Sequence, residues 1–170
     1  PIFALLVYGG EIYVGGNFTT IGGIPVNYIA KYTPSTDTWS ALGTGTDGAV
    51  RALVAIDHGG TPLLYVGGYF YSAGSTPDIG RIASYHDGAW SALGTGLDGY
   101  VMALTMNGTD LYAGGYFTTA RPSTVVNHVA KWNGSTWSAL GAPAGVSDTP
   151  IHYVNTLAFL GSDLYAGGRF

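Results

Sequence analysis

A tyrosine followed two positions later by a glycine pair recurs four times, about fifty residues apart, and a period of that length marks a chain built from stacked repeats. The four copies are Ile12-Tyr13-Val14-Gly15-Gly16-Asn17-Phe18, Leu64-Tyr65-Val66-Gly67-Gly68-Tyr69-Phe70, Leu111-Tyr112-Ala113-Gly114-Gly115-Tyr116-Phe117 and Leu164-Tyr165-Ala166-Gly167-Gly168-Arg169-Phe170. The first three are each followed by a tryptophan motif: Trp39-Ser40-Ala41-Leu42-Gly43, Trp90-Ser91-Ala92-Leu93-Gly94 and Trp137-Ser138-Ala139-Leu140-Gly141. Between the two lie Ile29-Ala30-Lys31-Tyr32, Ile82-Ala83-Ser84-Tyr85 and Val129-Ala130-Lys131-Trp132.

Each period reads as four short strands, A to D. Strand A is the most continuously apolar, as in Val50-Arg51-Ala52-Leu53-Val54-Ala55-Ile56. Turns such as Asp57-His58-Gly59-Gly60 and Asn107-Gly108-Thr109-Asp110 follow it, because Gly and Asn tolerate the positive φ of tight hairpins. Strand B carries the glycine pair, strand C ends on Tyr32, Tyr85 or Trp132, and strand D carries the tryptophan. No apolar spacing of three and four persists long enough for a helix. The predicted strands are 2–8, 11–18, 27–33, 38–42, 50–57, 63–70, 80–86, 89–93, 100–106, 110–117, 126–132, 136–140, 153–160 and 163–170.

One such sheet leaves both faces wet, whereas stacking sheets around an axis buries them. The expected fold is therefore all-β: a β-propeller of four-stranded antiparallel blades, about three and a half of them. The blades fall at about 1–43, 44–94 and 95–141, with a half blade at 142–170. Strand A belongs at the axis. The glycine pair belongs where backbones approach closely. Trp39, Trp90 and Trp137 are expected to be buried between blades. The half blade implies that Phe170 and the face around Phe3 and Tyr8 meet other polypeptide, either further blades or other copies.

The glycine pair after a hydrophobic strand, followed by Tyr32 and then Trp39, resembles the kelch repeat family. The added phenylalanine and the Trp-Ser-Ala-Leu-Gly strand look like a variant of large bacterial surface proteins. The resemblance implies a propeller and is nearly silent on function.

Composition narrows the function classes. Charged residues make up 9% of the chain, against roughly 25% in an average soluble protein. The net charge is −4, with only six Lys and Arg. Nucleic-acid binding needs clustered basic residues and is not expected. No apolar run reaches membrane-spanning length, so no membrane insertion is expected. The absence of cysteine excludes disulfides and thiolate metal sites. His58, His86, His128 and His152 share no metal-ligand spacing and read as surface or turn residues. Asp47, Asp98 and Asp148 recur in the loops before successive A strands, where three carboxylates could hold a hard cation. Shaping a turn is the stronger reading for each. Asn17, Asn107 and Asn133 begin glycosylation-type triplets, and the last two also fit Asn-Gly turns. No paired carboxylates and no nucleophile–base pattern appear, so neither catalysis nor a cofactor is expected.

Candidate ligand-binding residues come from positions that vary between otherwise regular repeats. The residue after the glycine pair is Asn17, Tyr69, Tyr116 or Arg169. The second position of strand A is Phe3, Arg51, Met102 or Asn155. Tyr71 stands out in the B–C loop of the second repeat. A purely structural slot keeps one residue type, so these slots face solvent, the channel or a ligand. The expected function is a non-catalytic structural, adhesive or binding module of an extracellular or cell-surface protein, with a protein or a glycan as partner. The rival readings are a self-assembling subunit, and part of a propeller enzyme whose catalytic groups lie outside this segment.

Overall fold

The computed structural model of the protein describes residues 1–141 and 152–169. The first sheet joins β1 (Ile2–Tyr8), β2 (Glu11–Gly16), β5 (Ile29–Thr33) and β6 (Thr38–Ala41) in the order β1-β2-β5-β6. Between β2 and β5 lies a small hairpin of β3 (Thr20–Ile21) and β4 (Ile24–Pro25). The second sheet runs through β7 (Val50–His58), β8 (Thr61–Gly68), β9 (Ile82–His86) and β10 (Ala89–Ala92). The third comprises β11 (Val101–Asn107), β12 (Asp110–Gly115), β15 (Val129–Trp132) and β16 (Trp137–Ala139), with a hairpin of β13 (Thr119–Ala120) and β14 (Thr124–Val125) in its loop. A last pair, β17 (Tyr153–Leu160) and β18 (Asp163–Arg169), begins a fourth blade. All pairings are antiparallel, and no helix occurs among the described residues.

The chain is thus an all-β propeller segment. β1 touches β7, β7 touches β11 and β11 touches β17, so the first strands of successive blades stand side by side. β2 also packs on β7, β8 on β11 and β12 on β17. Glycine makes the second set of contacts possible. A Cβ on Gly67 would lie 2.5 Å from Val101 Cγ1, and one on Gly114 would lie 2.6 Å from Val154 Cγ1. Gly15 faces Val50 in the same way. The second glycine of each pair lies against the backbone of its own strand A, so no side chain fits there either.

The apolar cores therefore sit between sheets. One, around Tyr13, Ile29, Val50 and Phe70, joins the first and second blades. Another, around Tyr65, Val101, Leu111 and Phe117, joins the second and third. A smaller one containing Val154 and Leu157 joins the third to the fourth. At the outer rim two tryptophans reach back one blade. Trp90 Nε1 donates to the Leu42 carbonyl at 3.0 Å, and Trp137 Nε1 to the Leu93 carbonyl at 2.9 Å.

Three details differ from the sequence expectation. Trp137 is buried, but Trp39 and Trp90 are only half-buried. Trp39 and Trp90 keep one side of the indole toward solvent, and among the described residues no other sheet packs on the far side of the blade that carries Trp39. The first three B strands stop at the second glycine, after which the chain turns and drives Phe70 and Phe117 into the core. His128 sits in a turn, one of the two placements expected for the histidines, but is buried there.

The outer face of β1 is apolar and open: Ile2 is 57% and Leu5 63% exposed, whereas Val50 and Val101, which occupy the Ile2 position in later blades, are fully buried. Phe3 is exposed, and Tyr8 is half-buried against the core between the first two blades. Phe170 lies outside the described residues.

Candidate functional site

Every strand A carries an irregularity at its start. Register shifts fall between Ile2 and Ala4, Val50 and Ala52, Val101 and Ala103, and Val154 and Thr156. In each case one extra residue is left unpaired opposite the glycine pair. Those residues are Phe3, Arg51, Met102 and Asn155, the variable second position. A bulge frees a side chain from the alternation of the strand and re-aims it. The same end of the blades carries the residues that follow the glycine pairs.

There the side chains of different blades meet. The Arg51 guanidinium lies over the Phe3 ring at 4.3 Å and the Tyr69 ring at 5.5 Å. Tyr69 contacts Tyr100 at 4.5 Å, and Tyr100 contacts Tyr116 edge-on at 6.3 Å. Tyr116 stacks on Tyr153 at 4.3 Å with the planes 17° apart. Arg81 lies over Tyr71 at 3.6 Å and Tyr100 at 4.6 Å. The result is a continuous path of rings and guanidinium groups running from the first blade to the fourth. Partial desolvation, then a hydrogen bond with Tyr153, raises the Tyr116 phenol above its ordinary pKa, and the nearby positive charge of Arg169 partly opposes this.

Of the sequence candidates, Arg51, Tyr69, Tyr71 and Tyr116 join this path, and Arg169 lies close enough to act on it electrostatically. Asn17 is exposed at the position corresponding to Tyr69, its backbone N–H bonded to the Pro1 carbonyl at 2.8 Å. Met102 is half-buried and Asn155 exposed, each at its bulge. Three members of the path were missed: Tyr100, Tyr153 and Arg81. Tyr100 and Tyr153 directly precede the bulge valines Val101 and Val154, where the other two repeats have Pro1 and Ala49. Arg81 shares its slot with Tyr28 and His128, and all three adopt left-handed backbone, with φ of 68°, 64° and 70°. Positive φ in bulky residues is strained and held only by its surroundings. Here the carbonyls of Tyr28, Arg81 and His128 accept the N–H of the second glycine in each pair.

The carboxylates are engaged differently. Asp47 Oδ1 accepts the backbone N–H groups of Tyr71 and Ser72 at 2.7 and 2.9 Å. Asp98 Oδ1 accepts those of Thr118 and Thr119, both at 2.9 Å, and its Oδ2 accepts the Thr118 hydroxyl. Each aspartate thus staples the loop before strand A to the B–C loop of its own blade. Asp148 lies outside the described residues. No group of three metal-ligating side chains occurs among the described residues. Asn133 Oδ1 accepts the N–H groups of Ser135 and Thr136 and so closes the C–D turn of the third blade.

A cavity of about 280 Å³ lies elsewhere, between the first two blades, lined by Tyr13, Lys31, Leu42, Thr61 and Tyr85. Lys31 there is held by Glu11 at 3.5 Å. With its one cation paired and no converging reactive groups, the cavity offers less chemistry than the axial path.

Three comparisons place the chain among known proteins. The family model of the Rax2 C-terminal β-propeller domain matches residues 4–164. The polarized growth protein rax2 of Schizosaccharomyces pombe is 41% identical over 66 residues, which is 38% of this chain and 5% of that protein. The crystal structure of the extracellular domain of a one-component system from B. thetaiotaomicron superposes with a TM-score of 0.60 at 13% identity. That alignment covers 99% of this chain and 20% of the other, and it carries the fold alone. The chain therefore spans only a small part of both proteins. The propeller expected from the kelch resemblance is supported at the level of a β-propeller family.

Proposed function

The chain belongs to the Rax2 C-terminal β-propeller domain family, and from that premise we propose that it is a non-catalytic binding module of a cell-surface protein, with the axial ring path as its binding face. One observation carries the reading. The positions at which the repeat varies are the bulge residues and the residues after the glycine pair, and four of their side chains, those of Phe3, Arg51, Tyr69 and Tyr116, join one path across the blades. Tyrosine offers a flat apolar face and a polar rim, which suits stacking on the C–H face of a sugar while hydroxyls are hydrogen-bonded. Tyr71, Tyr100 and Tyr116 are exposed. A glycan is therefore the favoured ligand.

The test is an array of cell-wall oligosaccharides probed with the intact protein carrying this propeller, and with its Tyr69→Ala and Tyr116→Ala variants. Binding that falls by about tenfold in each variant, near the upper end of what one aromatic contact contributes, supports the reading. Binding that neither substitution changes removes it.

A second reading, assembly through blade faces, draws on the open apolar face of β1. Apolar surface of this kind is covered in most soluble proteins. Light scattering that gives the mass of a single polypeptide at micromolar concentration would discard self-assembly.

A further inference from the structure

The six basic residues divide into two groups. Lys31 pairs with Glu11 at 3.5 Å, Arg121 with Asp78 at 2.8 Å and Lys131 with Asp110 at 3.0 Å. Arg51, Arg81 and Arg169 form no ion pair with a carboxylate among the described residues. All three belong to the axial end. In a chain of net charge −4 this is not a by-product of general basicity.

Arg81 is the most telling of the three. It is 7% exposed, and its buried Nη1 has no hydrogen-bond acceptor. Burying a guanidinium N–H without an acceptor is costly, and the faces of two tyrosines offset only part of that cost. The rings that cover it, Tyr71 and Tyr100, are themselves 55% and 41% exposed. They form the outer wall of the site, and a ligand that displaces one of them reaches the guanidinium. The Arg51 guanidinium lies beside the Phe3 and Tyr69 rings and pairs with no carboxylate among the described residues, which leaves its N–H donors for a ligand. A guanidinium presents parallel N–H donors that match the two oxygens of a planar carboxylate.

We infer that the axial face recognises a chain of carboxylate-bearing sugars, an oligomeric uronic acid, whose rings stack on the tyrosines and whose acid groups are taken by Arg81 and by Arg51. This rests on the axial-face reading above and specifies its ligand class. An acidic polypeptide offers the same carboxylate but no sugar ring for the tyrosine wall.

The experiment is calorimetric titration of the intact protein with trigalacturonic acid, with its fully methyl-esterified form, and with a short polyglutamate peptide. Trigalacturonic acid is expected to bind, and esterification to weaken binding by about tenfold or more, the scale of one charged hydrogen-bonded contact. Arg81→Gln and Arg51→Gln should each abolish most of the difference between acid and ester. Arg51 is half-buried and pairs with no strand residue, so its variant keeps the test valid even where Arg81→Gln lowers the melting temperature. Equal binding of acid and ester, with loss of both in Tyr116→Ala, overturns the carboxylate inference while leaving the axial face as a glycan site. Polyglutamate binding without trigalacturonic acid binding overturns the sugar assignment. Failure of all three ligands to bind overturns the uronic-acid inference and leaves the glycan reading to the oligosaccharide array.

Discussion

A glycine pair can be read from sequence because its role is to have no side chain. Gly67 was expected to lie where another strand approaches, and Val101 occupies that place. Gly67→Ala should therefore destabilise the protein by about 1–3 kcal/mol through overpacking. Chemical denaturation measures this, and an unchanged midpoint would show that the blades can separate slightly at no cost. The tryptophans were less legible. Their motif is regular, but burial depends on the neighbouring blade, which the motif does not contain. Trp137→Ala should cost about 3–5 kcal/mol, the range for deleting a large buried aromatic. Trp90→Ala should cost less and Trp39→Ala least, so thermal melts of the three variants should rank in that order. Tyr100 and Arg81 were invisible for a related reason. Each acquires its meaning from a ring on a different segment, and one sequence does not show which rings meet.

Among the elements, the strands that alternate or run apolar for several residues were readable to within a few positions. The two-residue hairpins β3–β4 and β13–β14 were not, because two residues carry no periodicity. The bulges were half-visible: the variable second position of strand A stood out, but its cause, an unpaired residue opposite glycine, is a property of the pairing. The aspartate loops show the reverse. Asp98 was read chiefly as a turn residue, and it tethers Thr118 and Thr119 across twenty residues of sequence. Asp98→Ala should leave those two amides unbonded and speed their hydrogen exchange, while Asp98→Asn should keep part of the protection, since an amide oxygen still accepts. Because both Asp98 oxygens already have donors, millimolar Ca²⁺ should leave the melting temperature unchanged. A rise on adding Ca²⁺ would reinstate a cation site at these loops.

For the whole molecule, the repeat period carried the architecture, and the propeller family agrees with it. The ligand was not legible, since stacked blades leave function to the few positions the repeat does not use. The buried tyrosines give the molecule a characteristic pH response. Burial raises the phenol pKa of Tyr13 and of Tyr65 above the ordinary value of 10.0. The folded state holds these protons where the unfolded chain releases them. Their contribution to stability is therefore intact below pH 10 and is lost as pH rises above it. Denaturation midpoints should be flat on their account through neutral pH and fall in the alkaline range. Tyr65→Phe, which has no proton to lose, should reduce the fall.

The central claim is that binding occurs at the end of the propeller where the bulges, the tyrosines and the unpaired arginines meet. Backbone hydrogen exchange of the intact protein, with and without saturating trigalacturonic acid, tests it most directly. Slowed exchange is expected at residues 69–71, 81, 100–102 and 116–118, with no change in the turns at 57–62 and 86–88 at the opposite end. Protection confined to those opposite turns, beside the cavity lined by Thr61 and Tyr85, would contradict it.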